Sequence, residues 1–407
     1  MIADSKLCFE DENDLRSRRF EEIERFVAHK NVLSERTGSS SPHLPTLKIK
    51  KIPPSVRRPK VNFGIERNVF RRIIWRWKED SQFLRQTIQL VFALLCIWIG
   101  VEFYFFVRWG VSAGQASFFP RPPGVEGFLP ISALISLTYW IRSGVVYAVH
   151  PSGLFILVAI LGVSVAMKKA FCSWLCPIGT LSEGLWMFGK KLFGKNLRLP
   201  RWLDYPLRAL KYLVLSFFIW AILRMDIPGM LAFIESPYNK VADVKMYLFF
   251  AHISAVGLWT IIALVLLSVV IRNFWCRFLC PYGALLGIVG WLSPMKITRT
   301  KDSCIDCELC TKACPASIKV HKAGRVWSDE CMSCLACVDV CPVKNTLEMK
   351  TKRRIRGYPA WVYGVLVVAV FVAVTGLAIV TGHWSNRISN AEYLQHFQHI
   401  DSYDHLR

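Results

Sequence analysis

Long apolar runs dominate the chain after its first 85 residues. Four of them are long enough for a helix to cross a bilayer, and a fifth is shorter but spans when it is extended toward Pro228. Residues 127–141 are apolar but too short to cross, which indicates a re-entrant or interfacial helix. The pattern therefore predicts an all-α integral membrane bundle of about five transmembrane helices. The predicted spans are 86–107, 143–167, 209–223, 251–271 and 359–381.

Positive charge is unevenly distributed among the segments that join these runs. Residues 48–85, 190–211 and 272–357 are rich in Lys and Arg, whereas the other connecting segments are poorer in them. Positively charged segments stay in the cytoplasm, so these three are expected on the cytoplasmic side of an inner membrane. With an odd number of spans, the N-terminus then lies inside and the C-terminal tail lies outside.

The composition supports a membrane protein. Hydrophobic residues make up 53% of the 407 residues and charged residues 20%, which excludes an ordinary soluble globule and a disordered chain. The net charge of +22 could attract nucleic acid or an anionic membrane face. Residues 48–78 carry eleven Lys or Arg against one acid, and they include Trp75 and Trp77. Because this segment leads directly into the first span, we interpret it as a membrane flank and expect no nucleic-acid partner.

The membrane part contains an internal repeat. Residues 171–181 read FCSWLCPIGTL and residues 275–285 read WCRFLCPYGAL, with six of eleven positions identical. Each copy follows a span that descends to the cytoplasmic side, so the bundle is predicted to contain two pseudo-repeated helix pairs. Each pair ends in a C-x-x-x-C-P motif. The cysteines of the two motifs are Cys172, Cys176, Cys276 and Cys280.

These four motif cysteines are expected where spans end, because the proline after each second cysteine disfavours helical geometry there. Buried packing would explain one such pair, but two repeated pairs at matching depth favour a functional role. Four thiols could bind a soft metal such as copper or a further cluster, or they could act as redox-active thiols. Both kinds of chemistry remain open, and the four cysteines are candidate catalytic or metal-binding residues.

Eight further cysteines form two runs of the pattern C-x2-C-x2-C-x3-C-P, and every cysteine recurs 27 residues later. Three thiolates from one tight loop bind three irons of an iron–sulfur cube, and the fourth iron takes the last cysteine of the other run. The runs therefore predict two [4Fe-4S] clusters. Zinc fits less well because it uses paired cysteines, and disulfides are disfavoured in the reducing cytoplasm. The predicted ligand sets are Cys304, Cys307, Cys310 and Cys341 for one cluster, and Cys331, Cys334, Cys337 and Cys314 for the other.

The cysteine runs also define the domain organisation. They predict a small cytoplasmic α+β domain of the bacterial 2[4Fe-4S] ferredoxin type at 299–350. Because 23 residues separate Cys280 from Cys304, this domain is expected directly beneath the membrane cysteines. The other predicted parts are a flexible basic tail at 1–80, a membrane domain at 81–298, and a final transmembrane helix with an outer tail at 351–407.

Three titratable residues near the predicted outer membrane face are further candidates. Glu102 could accept a proton from a quinol, or it could form an interfacial ion pair with Arg108 or Arg142. His150 and His252 lie 22 and 24 residues before the paired cysteines, and they could bind quinone, relay protons or ligate a metal. Ordinary interfacial histidines are the alternative.

The paired C-x-x-x-C-P motifs, the RPPGVEGFLPIS stretch at 121–132 and the two cysteine runs resemble the membrane ferredoxin-type proteins related to NapH, NosR and CcoG. The resemblance covers roughly residues 80–350, and the arrangement is most similar to NapH-like members. It implies electron transfer between the quinone pool and respiratory or maturation systems. CcoG-like members also imply copper reduction. The tail at 1–80 and the final span depart from the NapH-like pattern.

These features predict a membrane electron-transfer protein, either an oxidoreductase-type carrier or a subunit of a larger quinol-linked complex. Electrons are expected to move between a quinone/quinol pool and the cytoplasmic clusters. The expected partners are the lipid bilayer, the quinone and an acidic redox protein or reductase subunit. Two alternatives remain open: a copper (metal) reductase or metallocentre-assembly factor that uses the membrane cysteines, and a redox-sensing membrane regulator.

Overall fold

The computed structural model describes residues 77–78, 80–197, 199–354 and 356–403. The predicted basic tail at 1–80 lies almost wholly outside these ranges. Residues 305–307 fall outside the compact unit that contains the other described residues. Within the described ranges, that unit is mostly helical and contains a two-stranded sheet.

The helices alternate between long apolar segments and short connecting ones. In chain order we label them α1 (Ser81–Val111), α2 (Pro130–Ser143), α3 (Pro151–Met167), α4 (Phe171–Trp174), α5 (Pro177–Phe193), α6 (Arg201–Arg224), α7 (Ile227–Glu235), α8 (Pro237–Lys240), α9 (Ala242–Ala251), α10 (Ala255–Val270), α11 (Pro281–Val289), α12 (Leu309–Ala313), α13 (Ala336–Asp339), α14 (Ala360–Val380) and α15 (Asn390–Gln398). The strands are β1 (Lys296–Arg299) and β2 (Leu347–Lys350). Turns of 3₁₀ helix lie at Pro123–Phe128, Val320–Lys322 and Ile400–Ser402, and a π-helical turn lies at Trp275–Leu279.

The long apolar helices provide the candidate membrane spans. Three described helices, α1, α6 and α14, are long and apolar enough to cross a membrane. The pair α9 and α10 is a fourth candidate if its two parts form one span, although they meet at an angle of 84°. The described chain is therefore a membrane protein with three to four candidate spans, fewer than the sequence predicts.

The predicted span at 143–167 is divided in the structure. α2 ends at Ser143, the next residue Gly144 is left-handed with φ of 75°, and α3 starts at Pro151. Proline is favourable at the first helical position, because an N–H there would form no hydrogen bond within the helix. α3 has 17 residues, at the lower limit for crossing a bilayer. α2 has 14 residues, which agrees with the prediction that this region is too short to cross.

The predicted span at 251–271 also begins with a break. His252 ends α9, and Ser254 caps the next helix by accepting a hydrogen bond from the Gly257 amide at 3.2 Å. A serine cap satisfies an otherwise unpaired N–H and starts a new helix direction. The Ser254 cap is therefore a local cause of the bend, and the apolar run in the sequence does not predict it.

Large apolar side chains on the spanning helices point away from the protein. Leu94 and Trp98 on α1, Phe217 on α6 and Val365 on α14 are all more than half exposed. An apolar surface this extensive is unfavourable in water and is compatible with lipid. The outward faces of these helices thus fit a surrounding bilayer.

The region from β1 to β2 forms a small α+β fold. The two strands are antiparallel, with Ile297 opposite Met349, and both side chains are buried. Between the strands, α12 and α13 pack against each other, and each carries the third cysteine of one run. These elements agree with the predicted ferredoxin-like fold.

One hydrophobic core connects the membrane helices with the ferredoxin-like domain. It includes Met167 and Trp174 at the end of the first repeat, Tyr363 on α14, and Leu335 and Leu347 of the ferredoxin-like domain. The Tyr363 hydroxyl donates to the Met167 carbonyl at 2.7 Å. Because this core is continuous, the domain is packed onto the helices in addition to being tethered by the chain.

Candidate functional site

The two cysteine runs have the same backbone conformation at matching positions. Asp306 and Glu308 in the first run have φ of 52° and 60°, and Ser333 and Leu335 in the second have φ of 52° and 61°. Left-handed residues turn successive N–H groups toward the inside of a loop, as in many iron–sulfur sites. The loop of the second run is therefore shaped to surround a group of negative charge.

A cavity lies inside the second run. Its lining includes Cys314, Cys331, Cys334 and Cys337, the set that the spacing predicts for one cluster. Most other lining side chains are apolar, such as Val326. The donor set fits a [4Fe-4S] cluster, because four cysteine sulfurs are the ligands that this cofactor uses.

Burial controls the protonation of these thiols. Burial raises the pKa of Cys334 to about 11 and the pKa of Cys314 to about 12. The two thiols are therefore protonated near neutral pH. Iron binds the thiolate, so cluster loading must displace these protons.

The other predicted ligand set is Cys304, Cys307, Cys310 and Cys341. Cys304, Cys310 and Cys341 are half-buried, and Cys341 Sγ lies 3.5 Å from the carbonyl oxygen of Val343. Cys307 belongs to the separate segment 305–307. Within the described ranges, no three His, Cys, Asp or Glu side chains lie close enough to hold one metal ion. A cubane differs from a single ion, because each of its ligands binds a different iron.

The second cysteines of the two C-x-x-x-C-P motifs have the same local geometry. Cys176 and Cys280 are the N-caps of α5 and α11, and their sulfurs accept from the Gly179 and Gly283 amides at 3.4 and 3.3 Å. The proline after each cysteine occupies the first helical position, which favours this cap. All four motif cysteines carry free thiols. The sequence repeat is therefore a structural repeat at these two helix caps, whereas Cys172 lies in an α-helical turn and Cys276 in a π-helical turn.

Gly179 permits the first motif to fold tightly. A Cβ on Gly179 would lie 2.1 Å from the carbonyl oxygen of Cys172, so Gly179→Ala should force the motif apart at a cost of about 1–3 kcal/mol. We expect a lower thermal unfolding midpoint in detergent. Gly184→Ala in the same helix is the control, because nothing lies within 4 Å of the added Cβ. Equal midpoints for the two variants would contradict the close contact.

The middle residues of the first C-x-x-x-C-P motif contact the second cysteine run directly. Ser173 Oγ donates to the carbonyl of Met332 at 2.5 Å, and Trp174 Nε1 donates to the carbonyl of Ser333 at 3.2 Å. Both acceptors lie inside the first C-x-x-C of that run. The membrane motif and the cluster-binding loop therefore meet through two hydrogen bonds.

Residues 326–334, which we call the docking loop, make further polar contacts with the membrane part. The Lys211 ammonium lies 2.5 Å from the Glu330 carboxylate, and both side chains are almost fully buried. Buried ion pairs of this kind hold elements together, because removal of one partner leaves the other charge buried without a counter-charge, which is destabilising. The other hydrogen bonds run from Lys168 to the Val326 carbonyl at 2.6 Å, from Gln82 to the Cys334 carbonyl at 2.9 Å, and from Tyr212 to Asp329.

The two candidate histidines have different environments. His150 is buried, with Nδ1 3.3 Å from a Glu126 carboxylate oxygen and Nε2 2.7 Å from the Asn239 carbonyl. His252 is exposed at the bend after α9. His150 and His252 therefore have different environments, although they hold equivalent positions in the two sequence repeats.

Arg121 organises the buried network around His150. It contacts the Glu126 carboxylate at 2.8 Å and the Asp243 carboxylate at 2.6 Å, and both acids are fully buried. Burial alone would raise the pKa of Glu126. The Arg121 charge, the nearby His150 ring and a hydrogen bond from Ser152 outweigh burial and lower that pKa to about 2. The acid therefore stays ionised inside the protein.

Glu102 has a local partner in the structure. It is half-buried on α1 and accepts a hydrogen bond from Trp98 Nε1 at 2.9 Å. Arg142 instead donates to the carbonyls of Met225 and Leu223. Among the described residues, neither Arg108 nor Arg142 forms the ion pair that was one interpretation of Glu102.

Sequence reasoning missed several residues that the structure places at these sites. Trp174 and Phe278 occupy the same position in the two repeat copies, and both are fully buried. That shared aromatic position is a signal that could have identified Trp174. Arg121 and Glu126 lie within the stretch that carries the family resemblance, but no local pattern identifies Asp243 as their partner.

Comparison with known protein families agrees with this geometry. A family model described as a 4Fe-4S binding domain matches residues 149–196 and 253–300, which contain the two C-x-x-x-C-P motifs. A model described as a 4Fe-4S dicluster domain matches residues 296–342, which contain the two cysteine runs. No solved structure matches the chain.

Curated relatives extend the match over most of the chain. One relative is YccM of Escherichia coli (strain K12), which is described as a putative electron transport protein. The chain is 42% identical to it, and the match covers 83% of this chain and 94% of YccM. It is 31% identical to the methylamine utilization ferredoxin-type protein MauN of Methylorubrum extorquens, over 47% of this chain and 62% of MauN. It is 29% identical to the regulatory protein NosR of Pseudomonas aeruginosa, over 39% of this chain and 22% of NosR. The chain belongs to the family of membrane-associated ferredoxin-type, or polyferredoxin, [4Fe-4S] electron transport proteins.

Proposed function

We propose that this membrane electron-transfer protein connects a quinone/quinol pool with two [4Fe-4S] clusters on the cytoplasmic side, and through them with a soluble redox partner. Each cluster, when bound, supplies a site that accepts or gives up one electron. A quinol that is oxidised gives up two electrons and two protons, so two one-electron sites match one quinol. The proposed ligands are Cys304, Cys307, Cys310 and Cys341 for one cluster, and Cys314, Cys331, Cys334 and Cys337 for the other.

The contact of Ser173 and Trp174 with the docking loop carries this proposal. Ser173 is 3% exposed and Trp174 is 0% exposed, so their hydrogen bonds to the loop are shielded from water. The protein's part in such a reaction is to hold the cofactor close to its donor in a fixed orientation. The contact brings a membrane motif to the backbone between two proposed cluster ligands, which supports electron exchange between the membrane part and that cluster.

Buried charge near the docking loop supports the same role. Lys168 is 1% exposed, and its ammonium lies within electrostatic range of the Cys331 thiol. A positive charge near a cluster favours the reduced, more negative form. Lys168 is therefore placed to raise the affinity of this cluster for an electron.

Exposed lysines of the ferredoxin-like domain support a soluble acidic partner. They would attract a negatively charged protein and speed its association. We place this domain in the cytoplasm because the same segment is rich in positive charge. The exposed lysines are Lys301, Lys312, Lys319, Lys322 and Lys344.

Reduction by a quinol tests the proposal. Purified protein in detergent should show bleaching of its iron–sulfur absorption when decylubiquinol is added without oxygen. The double change Ser173→Ala and Trp174→Phe removes two hydrogen bonds and should slow this reduction about tenfold. Reduction by dithionite, which needs no membrane contact, should stay unchanged.

Trp202→Phe is the matched control, because Trp202 is 76% exposed on α6 and lies on the outside of the protein. This variant should be reduced at the normal rate. Wild-type protein that dithionite reduces but no quinol reduces would reject the proposed quinol link.

A further inference from the structure

The first turn of α1 lies between the docking loop and the first C-x-x-x-C-P motif. Gln82 Nε2 donates to the carbonyl oxygen of Cys334 and to the Asp339 carboxylate, both at 2.9 Å. Cys334 is a proposed cluster ligand, and Asp339 is the last residue of α13. α1 therefore reaches the cluster-binding loop with an amide side chain that belongs neither to the cysteine runs nor to the membrane motifs.

Arg85 determines which way this amide points. Its Nε and Nη2 donate to Gln82 Oε1 at 3.1 and 2.9 Å, so the amide oxygen faces donors while the amide nitrogen faces two acceptors. In a reversed amide, the N–H groups would face the guanidinium, and the oxygen would face the Cys334 carbonyl and the Asp339 carboxylate. These contacts would all be repulsive. The surroundings therefore select the orientation in which Gln82 donates to Cys334.

Arg85 is itself fixed by the membrane part. Its guanidinium donates two hydrogen bonds of 2.5 Å to the Glu183 carboxylate on α5, and Nη1 also donates to the Ser173 carbonyl at 3.2 Å. Arg85 is 3% exposed. A planar guanidinium holds several acceptors in fixed directions, which the ammonium of a lysine does not do. A chain of polar contacts therefore runs from Glu183 through Arg85 and Gln82 to the Cys334 carbonyl.

The second repeat carries a tyrosine where the first repeat carries this amide. When the repeats are aligned on their Leu-Arg pairs, Arg85 corresponds to Arg208 and Gln82 corresponds to Tyr205. Tyr205 is 67% exposed, and Arg208 pairs with Asp204 on its own helix. The amide is thus no general feature of the repeat, and it occurs on the helix that contacts the Cys334 carbonyl.

We propose that Gln82, oriented by Arg85, is a positioning residue that raises the midpoint potential of the cluster assigned to Cys334 and its three partner cysteines. A carbonyl oxygen carries partial negative charge, and a donated N–H offsets that charge beside the ligand. Less negative surroundings favour the reduced, more negative cluster. The inference rests on the proposed function for the cluster itself, but it does not depend on the quinol link.

A redox titration followed by EPR tests this role without a quinol. The signal to follow is the one that Cys314→Ser removes. Gln82→Met has a similar volume but no N–H, so it removes the donor to the Cys334 carbonyl. At the wild-type midpoint, we expect the ratio of reduced to oxidised cluster to fall about tenfold, which is a shift of about 59 mV for a one-electron site.

Gln89→Met is the matched control. Gln89 is buried on α1, and its amide donates to the Ser173 carbonyl at 2.9 Å rather than to the docking loop. This variant also loses a buried amide, so its thermal unfolding midpoint should fall as in Gln82→Met. Its cluster potential should equal that of the wild type, because the donor to Cys334 is kept.

Arg85→Lys separates orientation from charge. Lysine keeps the positive charge but does not hold Glu183 and Gln82 in the same fixed directions. The potential should therefore fall in the same direction as in Gln82→Met, although the charge is retained. A wild-type potential in Arg85→Lys would reject the orienting role of Arg85.

An unchanged potential in Gln82→Met, or an equal shift in Gln89→Met, would overturn the inference. The loss of about four irons from Gln82→Met would overturn it as well, because the amide would then be needed to bind the cluster rather than to set its potential. The expected shift in a protein that no quinol reduces would retain the role of Gln82 and reject the quinol link. A protein that a quinol reduces, with the same potential in Gln82→Met, would do the reverse.

Discussion

Cys314→Ser and Cys337→Ser are expected to remove the same cluster, although the two residues lie in different cysteine runs. Both side chains line one cavity with Cys331 and Cys334. A cubane that lacks one of its four ligands is not retained well, so each variant should lose about four irons per chain. We also expect quinol-dependent reduction to fall by a factor of about a hundred or more, because the lost site is the one that the membrane motif contacts.

Cys341→Ser is the comparison that makes this prediction specific. It should also lose about four irons, but the EPR signal that remains should be the one missing from Cys314→Ser. If Cys314→Ser and Cys310→Ser instead removed the same signal, the ligand sets would follow the runs, and the proposed exchange of fourth ligands would be wrong.

Arg121→Met is expected to destabilise the protein by about 3–5 kcal/mol. The change leaves the Glu126 and Asp243 carboxylates buried without the cation that they share. Met occupies a similar volume, so the loss of charge should dominate over the change in packing. Thermal unfolding in detergent, followed by circular dichroism, should show a clearly lower midpoint than the wild type.

Arg108→Met provides the control, because Arg108 is exposed at the end of α1 and should change stability by less than about 0.5 kcal/mol. The pH dependence gives a second check. The pKa of Glu126 is about 2 in the folded protein against an ordinary value of 4.5, so its stabilising contribution is present above pH 4.5 and is lost as the pH falls toward 2. Equal midpoints for Arg121→Met and Arg108→Met would show that the network contributes little.

The features that sequence could predict are those encoded in short stretches. The spacing of the eight cysteines predicts two ligand sets, and these stay predictions; Cys314 lines one cavity with the three cysteines of the second run that the spacing groups with it. The apolar runs predict α1, α6 and α14, because length and hydropathy alone decide whether a helix can span. The span at 143–167 was wrong as one element, since the turn at Gly144 and the start at Pro151 divide an apolar run without altering its mean hydropathy.

The features that sequence could not predict depend on distant partners. Arg121 and Asp243 are 122 residues apart, and no local pattern links them. His150 and His252 hold the same place in the repeat, yet one enters a buried network and the other reaches the surface, because different loops pack beside them. The contact of Trp174 with Ser333 likewise depends on how two domains pack. Tertiary packing supplies these partners after the local elements have formed.

The docking loop fixes the ferredoxin-like domain on the helices, and this affects how the proposed soluble partner would reach it. Soluble ferredoxins diffuse between their donor and acceptor, but the Lys211–Glu330 pair and the shared hydrophobic core immobilise this ferredoxin-like domain on the helices. Under the proposed function, a soluble partner would therefore have to diffuse the whole distance to the fixed domain and meet its exposed lysines. Encounter rates of that kind fall steeply as ionic strength rises, whereas transfer inside the fixed assembly does not depend on salt.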